Sequence, residues 1–260
     1  MLSEIQKNLA GHPWRDRILW LDSIDSTNTY AKQLAREGAP EGTVVIADHQ
    51  TGGRGRLGRS FSSPAGMGIY MSIILRPECF PEELMHLTCA AGLAASNAVS
   101  DVTDRVPGIK WTNDLILARR KLGGILTELS VDPQTRKVEW AIIGIGINCC
   151  QTDFPEDIQN IAISLGISPA RRIELIAQLV RSLYSMRQKL FAEKESMMED
   201  FRHRCVTIDR EVSILRGDEV RHGKAVDVDH DGGLVVVFSD GHQETIASGE
   251  VSIRGMYGYV

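Results

Sequence analysis

The stretch HQTGGRGRLGRS, residues 49–60, constrains the fold more than any other, because it fits two phosphate-binding patterns without meeting the structural demand of either. Gly53-x-Gly55-x-x-Gly58 has the spacing of a dinucleotide fingerprint, and Gly53-x4-Gly58-Arg59-Ser60 departs from a Walker A loop only in having arginine for lysine. Both patterns work by aiming the N–H groups of a helix N-terminus at phosphate. Here the chain continues FSSPAGMGIYMSIIL (61–75), which reads as a loop entering a strand. A doubly wound parallel sheet is therefore not expected. Three arginines, Arg54, Arg56 and Arg59, remain within six residues, with glycines that let backbone approach a ligand. Guanidiniums this close repel one another unless an anion sits among them. A triphosphate, with or without a carboxylate, matches their bidentate donors. A solvated surface loop is the competing reading.

Outward from that loop, GTVVIAD (42–48) is a β-branched run and MGIYMSIIL (67–75) a long apolar one, both expected as strands. DSTN (25–28) supplies a helix start, and TYAKQLAREG should run to a stop at Gly38. Residues 81–102 open with proline and predict a buried helix. Strands are expected at IKWTN (109–113), LILA (115–118), GGILTELS (123–130) and VEWAIIGIGINC (138–149), then helix over 169–204. Few βαβ alternations occur, so the class is α+β, a mixed or antiparallel sheet flanked by helices. After Arg204 come six short β-like segments with turns, which suggest a small barrel of SH3-like size. The expected division is an N-terminal segment 1–20, a ligand-binding domain 21–206 and a C-terminal barrel 207–260.

Bulk properties narrow the function classes. At 43% hydrophobic and 24% charged, the 260 residues have the composition of a globular enzyme. No apolar run approaches a membrane span, and the start MLSEIQKNLAGHPWRDR lacks a signal-peptide core, so a cytoplasmic protein without membrane association is expected. Five cysteines, odd in number, suit a reducing compartment, and no zinc-ligand spacing occurs. Net charge is −5, all of it arising from Thr207 onward, where 5 Lys/Arg face 10 Asp/Glu. Such a tail does not suit nucleic acid.

Further motifs accompany the arginine loop: Ser26-Thr27-Asn28, Gln50 ahead of Gly53-Arg54-Gly55-Arg56, Lys110-Trp111-Thr112-Asn113-Asp114, Lys121-Leu122-Gly123-Gly124-Ile125-Leu126-Thr127-Glu128, and Gly144-Ile145-Gly146-Ile147-Asn148. In this order they resemble the biotin protein ligase family over about residues 20–150, together with its small C-terminal barrel. The resemblance implies a class II aminoacyl-tRNA-synthetase-like sheet. It also implies ATP and biotin as substrates, Mg²⁺, and as partner a biotin carboxyl carrier protein or domain of acetyl-CoA or a related acyl-CoA carboxylase. Ser26, Thr27 and Gln50 would hold the ureido ring, although Ser26 also reads simply as a helix cap. Asn28, Gly53, Gly55, Phe61, Asn113 and Gly124 would complete the substrate site. Arg54 and Arg56 would take the carboxylate and phosphates, Lys121 would neutralise the reacting carboxylate and α-phosphate, and Asn148 would contact the adenylate. Asp114 is the candidate Mg²⁺ ligand, with a turn-forming Asp as the plain alternative. Trp111 reads as core.

Two positions depart from the family pattern: Thr112 stands where proline is common, and Phe61 where tryptophan is common. The N-terminal DNA-binding domain of the repressing members is not expected in 260 residues, and homodimerisation stays open. The loop 49–66 is expected to close over an acyl-adenylate. A lipoate or octanoate ligase or transferase of the same architecture, and a non-catalytic biotin or nucleotide sensor, remain rival readings.

Overall fold

The computed structural model describes residues 1–216, 219–247 and 252–255. The chain opens with α1 (Leu2–Asn8), β1 (Ile18–Ile24), α2 (Thr27–Arg36), β2 (Val44–Gln50) and β3 (Gly68–Leu75). It continues through α3 (Leu87–Val102), β4 (Gly108–Lys110), β5 (Asp114–Leu117), β6 (Arg120–Val131) and β7 (Val138–Asn148). Two helices, α4 (Pro169–Lys189) and α5 (Lys194–Arg204), lead to β8 (Glu211–Arg216), β9 (Glu219–Val228), β10 (Leu234–Phe238), β11 (Gln243–Ile246) and β12 (Ser252–Gly255).

The first seven strands form one sheet in the order β1-β2-β3-β7-β6-β5-β4. Only β1 and β2 run parallel; every other pairing is antiparallel. This is the mixed sheet that the sparse βαβ pattern predicts. Side chains alternate between its faces. Ile69, Met71 and Ile73 of β3 and Ile143, Ile145 and Ile147 of β7 enter the large core shared with α3 and α4. Ile5, Leu9 and Trp14 are buried in that same core. The opposite face carries a smaller cluster in which Val45, Ile74, Trp140 and Ile142 pack under Ala31 and Ala35 of α2. With both faces covered, every residue of β3 is buried, and its sequence reads as a continuous apolar run interrupted only by Ser72.

On the α2 face, β7 changes character along its length. Trp140 and Ile142 support the helix, but the next residues on that face are Gly144 and Gly146. Removing two side chains under the N-terminus of α2 opens a cavity between helix, sheet and the arginine loop.

Four elements differ from the sequence expectation. The helix expected over 81–102 begins only at Leu87, after a separate 3₁₀ turn at Pro81–Leu84. IKWTN is strand only to Lys110, because Trp111–Asn113 make the tight connection of the β4–β5 hairpin, in which Lys110 pairs with Asp114. The Trp111–Thr112 peptide is cis. The 169–204 helical region is divided near Leu190, whose carbonyl meets the buried His86 Nε2 at 2.8 Å. Among the described residues, the C-terminal region has five strands, in the antiparallel order β11-β10-β9-β8-β12, because HDGG is the β9–β10 turn, held by Asp229 Oδ1 accepting from Gly233 N–H. This small antiparallel sheet is consistent with an SH3-like fold. It docks on the large domain where Trp111 Nε1 donates to Gly232 O at 2.7 Å and Arg202 Nε donates to Val228 O at 2.6 Å. Among the described residues, no helix is long and apolar enough to cross a membrane.

Candidate active site

The cavity of ≈ 170 Å³ is lined by the start of α2, the arginine loop, the β4–β5 hairpin and the glycines of β6 and β7. Its two ends differ in chemistry. At one end lie Ser26, Thr27 and Gln50. Ser26 caps α2, accepting weakly from Thr29 N–H at 3.5 Å, so its hydroxyl hydrogen is uncommitted among the described residues. Gln50 Oε1 accepts from the Thr27 N–H at 2.8 Å and lies 3.1 Å from Thr27 Oγ1. Gln50 Nε2 gives one hydrogen to Ser63 Oγ at 2.9 Å and keeps the second. Ser72 Oγ, fully buried on β3, sits 2.8 Å from Thr27 Oγ1 and 2.6 Å from Asn28 Oδ1. Whichever way those hydroxyls turn, the Thr27 hydrogen is used within the protein and a lone pair stays free. This end therefore offers two donors and one acceptor to a neutral ligand.

Below it the network continues outward. Asn28 Nδ2 donates to Glu128 Oε2 at 3.0 Å, and Glu128 Oε1 pairs with Lys32 Nζ at 2.7 Å. Burial alone would raise the Glu128 carboxyl, but the hydrogen bonds from Lys32 and Asn28 outweigh it and hold the group below its ordinary range. The Asn28 amide is thus fixed with Oδ1 toward β7, where a Cβ on Gly144 would lie 2.0 Å from it. Gly146 plays the same part for Phe61: a Cβ there would stand 2.6 Å from the ring, which also meets Tyr70 edge-on at 6.4 Å. The apolar middle of the cavity exists because these positions have no side chain.

The far end is cationic. The loop folds as a hairpin in which Gly55 N–H donates to Arg59 O at 2.7 Å and Leu57 and Gly58 both have positive φ (56° and 74°) at the tip. It carries Arg56 inward, where Nη1 donates to Asn113 Oδ1 at 3.0 Å. Asn113 is itself pinned, its Nδ2 donating to Ile125 O at 3.1 Å. Lys121 Nζ lies 2.7 Å from Asp114 Oδ1, a charge contact rather than an aligned hydrogen bond. The backbone of Lys121 is gripped by residues 161–163, through its N–H to Ile161 O at 2.7 Å and its carbonyl to Ile163 N–H at 2.9 Å. Lys110 completes the cluster. Burial drives its pKa down to about 8; Asp114 opposes that shift, while Lys121 and Arg59 add to it. Burial also lowers Arg56, with Asp114 opposing and Arg59 reinforcing. Five cations (Arg54, Arg56, Arg59, Lys110, Lys121) line the cavity with one carboxylate, Asp114, which suits it to polyanions, and Arg54 also helps to hold the Glu128 carboxyl down.

From Ser72 on β3 to Asp114 on β5 the site crosses three strand spacings, about 14 Å of sheet, which sets the length of a ligand that could touch both ends.

All the residues expected at the site line this cavity except Gly53 and Asn148. Gly53 packs inside the loop base, where a Cβ would lie 2.3 Å from Phe61 O. Asn148 turns away from the cavity: Nδ2 donates to Ile163 O at 3.1 Å and Oδ1 accepts from Gln151 Nε2 at 3.1 Å. It anchors the 161–165 segment that grips Lys121. Trp111, read as core, is buried and also forms a wall of the site.

Residues 20–148 match the model of the Biotin/lipoate A/B protein ligase family, and residues 207–254 match that of the Biotin protein ligase C terminal domain. Over 248 residues the chain is 32% identical to the bifunctional ligase/repressor BirA of Bacillus subtilis, covering 92% of this chain and 75% of that protein. It is likewise 32% identical to the biotin--[acetyl-CoA-carboxylase] ligase of Mycobacterium tuberculosis, across 93% of this chain and 90% of the relative. The chain belongs to the biotin protein ligase family.

The fold agrees. The biotin protein ligase of Aquifex aeolicus, solved in complex with biotin and ATP, superposes with a TM-score of 0.76 at 31% identity, covering 92% of this chain and 98% of that one. For a biotin protein ligase family member, sequence reasoning missed Ser72, Glu128, Lys32 and Lys110 as parts of the site. Ser72 had a signal: it is the lone polar residue within an apolar strand. Lys32 had none, since its partner Glu128 lies 96 residues away.

Proposed function

We propose that this chain activates biotin with ATP to biotinyl-AMP and transfers the biotinyl group to a lysine of a biotin carboxyl carrier protein or domain. The observation that carries this reading is the pairing of ends. Two donors and an acceptor at Ser26, Gln50 and Thr27 complement a carbonyl flanked by N–H groups, as in a ureido ring. A cationic cluster lies at the spacing of an acyl chain and its carboxylate. A dithiolane or a plain alkyl end would leave those buried polar groups without partners, which disfavours lipoate and octanoate.

In the first step a carboxylate oxygen attacks the α-phosphorus, the bond to the β-phosphate oxygen breaks, and pyrophosphate leaves. Negative charge gathers on the α-phosphate as two anions approach. Arg56, held by Asn113, and Lys121, whose backbone is held by residues 161–163, are positioned to offset it. In the second step the neutral amine of the carrier lysine attacks the acyl carbon, the acyl carbon–oxygen bond breaks, AMP leaves with its phosphate oxygen, and the amine gives up one proton to solvent. No enzyme nucleophile is needed.

Asp114, the one carboxylate that lines the cavity, is the residue that would hold a Mg²⁺ ion there, its Oδ1 now 2.7 Å from Lys121 Nζ. Bound there, Mg²⁺ would screen phosphate charge; Lys121 would exchange its contact with Asp114 for the substrate anion. Incubation of the chain with ATP, Mg²⁺, biotin and a carrier domain tests the reading. A mass gain on the carrier lysine is expected, and an unmodified carrier with intact ATP would overturn it. A sensor without turnover would bind biotin and give no such product.

A further inference from the structure

The arginine loop leaves the sheet at the end of β2 and returns at the start of β3. One side chain from a different part of the molecule holds both points. Arg172, on the first turn of α4, is only 1% exposed, the largest fully buried side chain among the described residues. Its Nη2 donates to Asp48 Oδ1 at 2.9 Å and its Nε donates to Gly68 O at 2.7 Å. Asp48 stands two residues before Gln50, and Gly68 is the first residue of β3. The guanidinium also lies 5.8 Å from the centroid of the Trp20 ring on β1.

Burying a guanidinium is unfavourable unless its hydrogen bonds are satisfied. A methionine or leucine would fill the same volume at lower cost, so core packing alone does not account for it. What an arginine adds is geometry: its planar donors tie two particular acceptors at a set separation. Here those acceptors bracket residues 49–67. The same two edges meet directly where Gly66 N–H donates to Asp48 O at 3.3 Å. Between them the loop presents Arg54 and Arg56 to the cavity and places Phe61 against Gly146. A change in the separation of its feet would be passed to the guanidiniums at its tip.

We infer that Arg172 and Asp48 are positioning residues for the ligase reaction: their part-buried ion pair sets the stance of the arginine loop, and so how tightly the acyl-adenylate is held before transfer. Neither residue touches the cavity. The inference rests on the proposed adenylate chemistry and goes beyond it by assigning retention of the intermediate to a contact outside the site.

The test uses the full chain with Asp48→Asn, which weakens the pair but keeps the Gly68 bond, and Arg172→Lys and Arg172→Met. Three quantities are measured: the thermal unfolding midpoint, biotin-dependent ATP–pyrophosphate exchange, and free biotinyl-AMP released per carrier lysine modified. Folded Asp48→Asn and Arg172→Lys should support exchange yet release about tenfold more free adenylate per transfer than the unaltered chain, the scale of one charge-assisted hydrogen bond. Cleavage by protease between Thr51 and Ala65 in the presence of biotin and ATP should rise in parallel. A purely structural clamp would lower the midpoint and leave the release ratio unchanged. Folded Asp48→Asn with wild-type release and protection overturns the inference. Absence of exchange in the unaltered chain would instead remove the adenylate reading itself.

Discussion

Replacing Gly144 by alanine probes the least visible part of the site, the amide that organises its neutral end. The added Cβ would sit 2.0 Å from Asn28 Oδ1 and 2.7 Å from its Cγ. An ordinary contact begins near 3.4 Å, so the Asn28 side chain must move by about 1.4 Å. A shift of that size takes Oδ1 beyond the reach of Ser72, now at 2.6 Å, and strains the 3.0 Å bond to Glu128. Losing one neutral and one charge-assisted hydrogen bond in a buried network is worth about 2–4 kcal/mol, with overpacking included in that range. In a chain of 260 residues this should lower the unfolding midpoint by roughly 5–12 °C. Because Ser72 also orients Thr27, the KM for biotin should rise about tenfold or more while the KM for ATP changes little. Calorimetric melting and initial-rate kinetics read both effects. A variant with wild-type midpoint and wild-type biotin KM would refute the claim that Asn28 fills the space left by Gly144.

Lys121→Ala should keep the fold and lower adenylate formation by about 10²–10³-fold, read by pyrophosphate exchange, while carrier modification from added biotinyl-AMP falls less. Glu128 has its carboxyl held below the ordinary value of 4.5, so its contribution to stability is present above that pH and is lost as pH falls through the lower folded value. Glu128→Gln should flatten the acid side of the stability profile, and an unchanged profile would remove the Lys32–Glu128–Asn28 chain from the account. Trp111→Phe should leave Gly232 O without its indole donor and weaken docking of the C-terminal sheet by about 1–3 kcal/mol in urea denaturation.

The motifs were legible because they are local. The arginine loop, the 110–114 and 121–128 segments and the glycines of β7 each mark a short backbone path, and the chain brings them to one cavity. The mixed sheet was legible for a related reason: MGIYMSIIL and VEWAIIGIGINC are the near-continuous, β-branched apolar runs that strands buried on both faces carry. What escaped depends on long-range partners. Lys32 is an ordinary surface lysine until β6 brings Glu128 to it, and Arg172 looks like half of a solvated pair with Arg171 until β2 and β3 close over it. Asn148 has the sequence position of a ligand contact, but its amide is engaged by Ile163 O at one end and by Gln151 Nε2 at the other. IKWTN has strand composition throughout, yet the hairpin to Asp114 needs its last three residues as a turn.

In the proposed reaction a neutral hydrogen-bonding end and a cationic end work on one acid. ATP–pyrophosphate exchange by the purified chain, with biotin, lipoate and octanoate offered in turn, addresses that directly. Exchange with biotin, and little with the other two acids, is the predicted result. Exchange driven equally by lipoate or octanoate, or by none of the three, would contradict it.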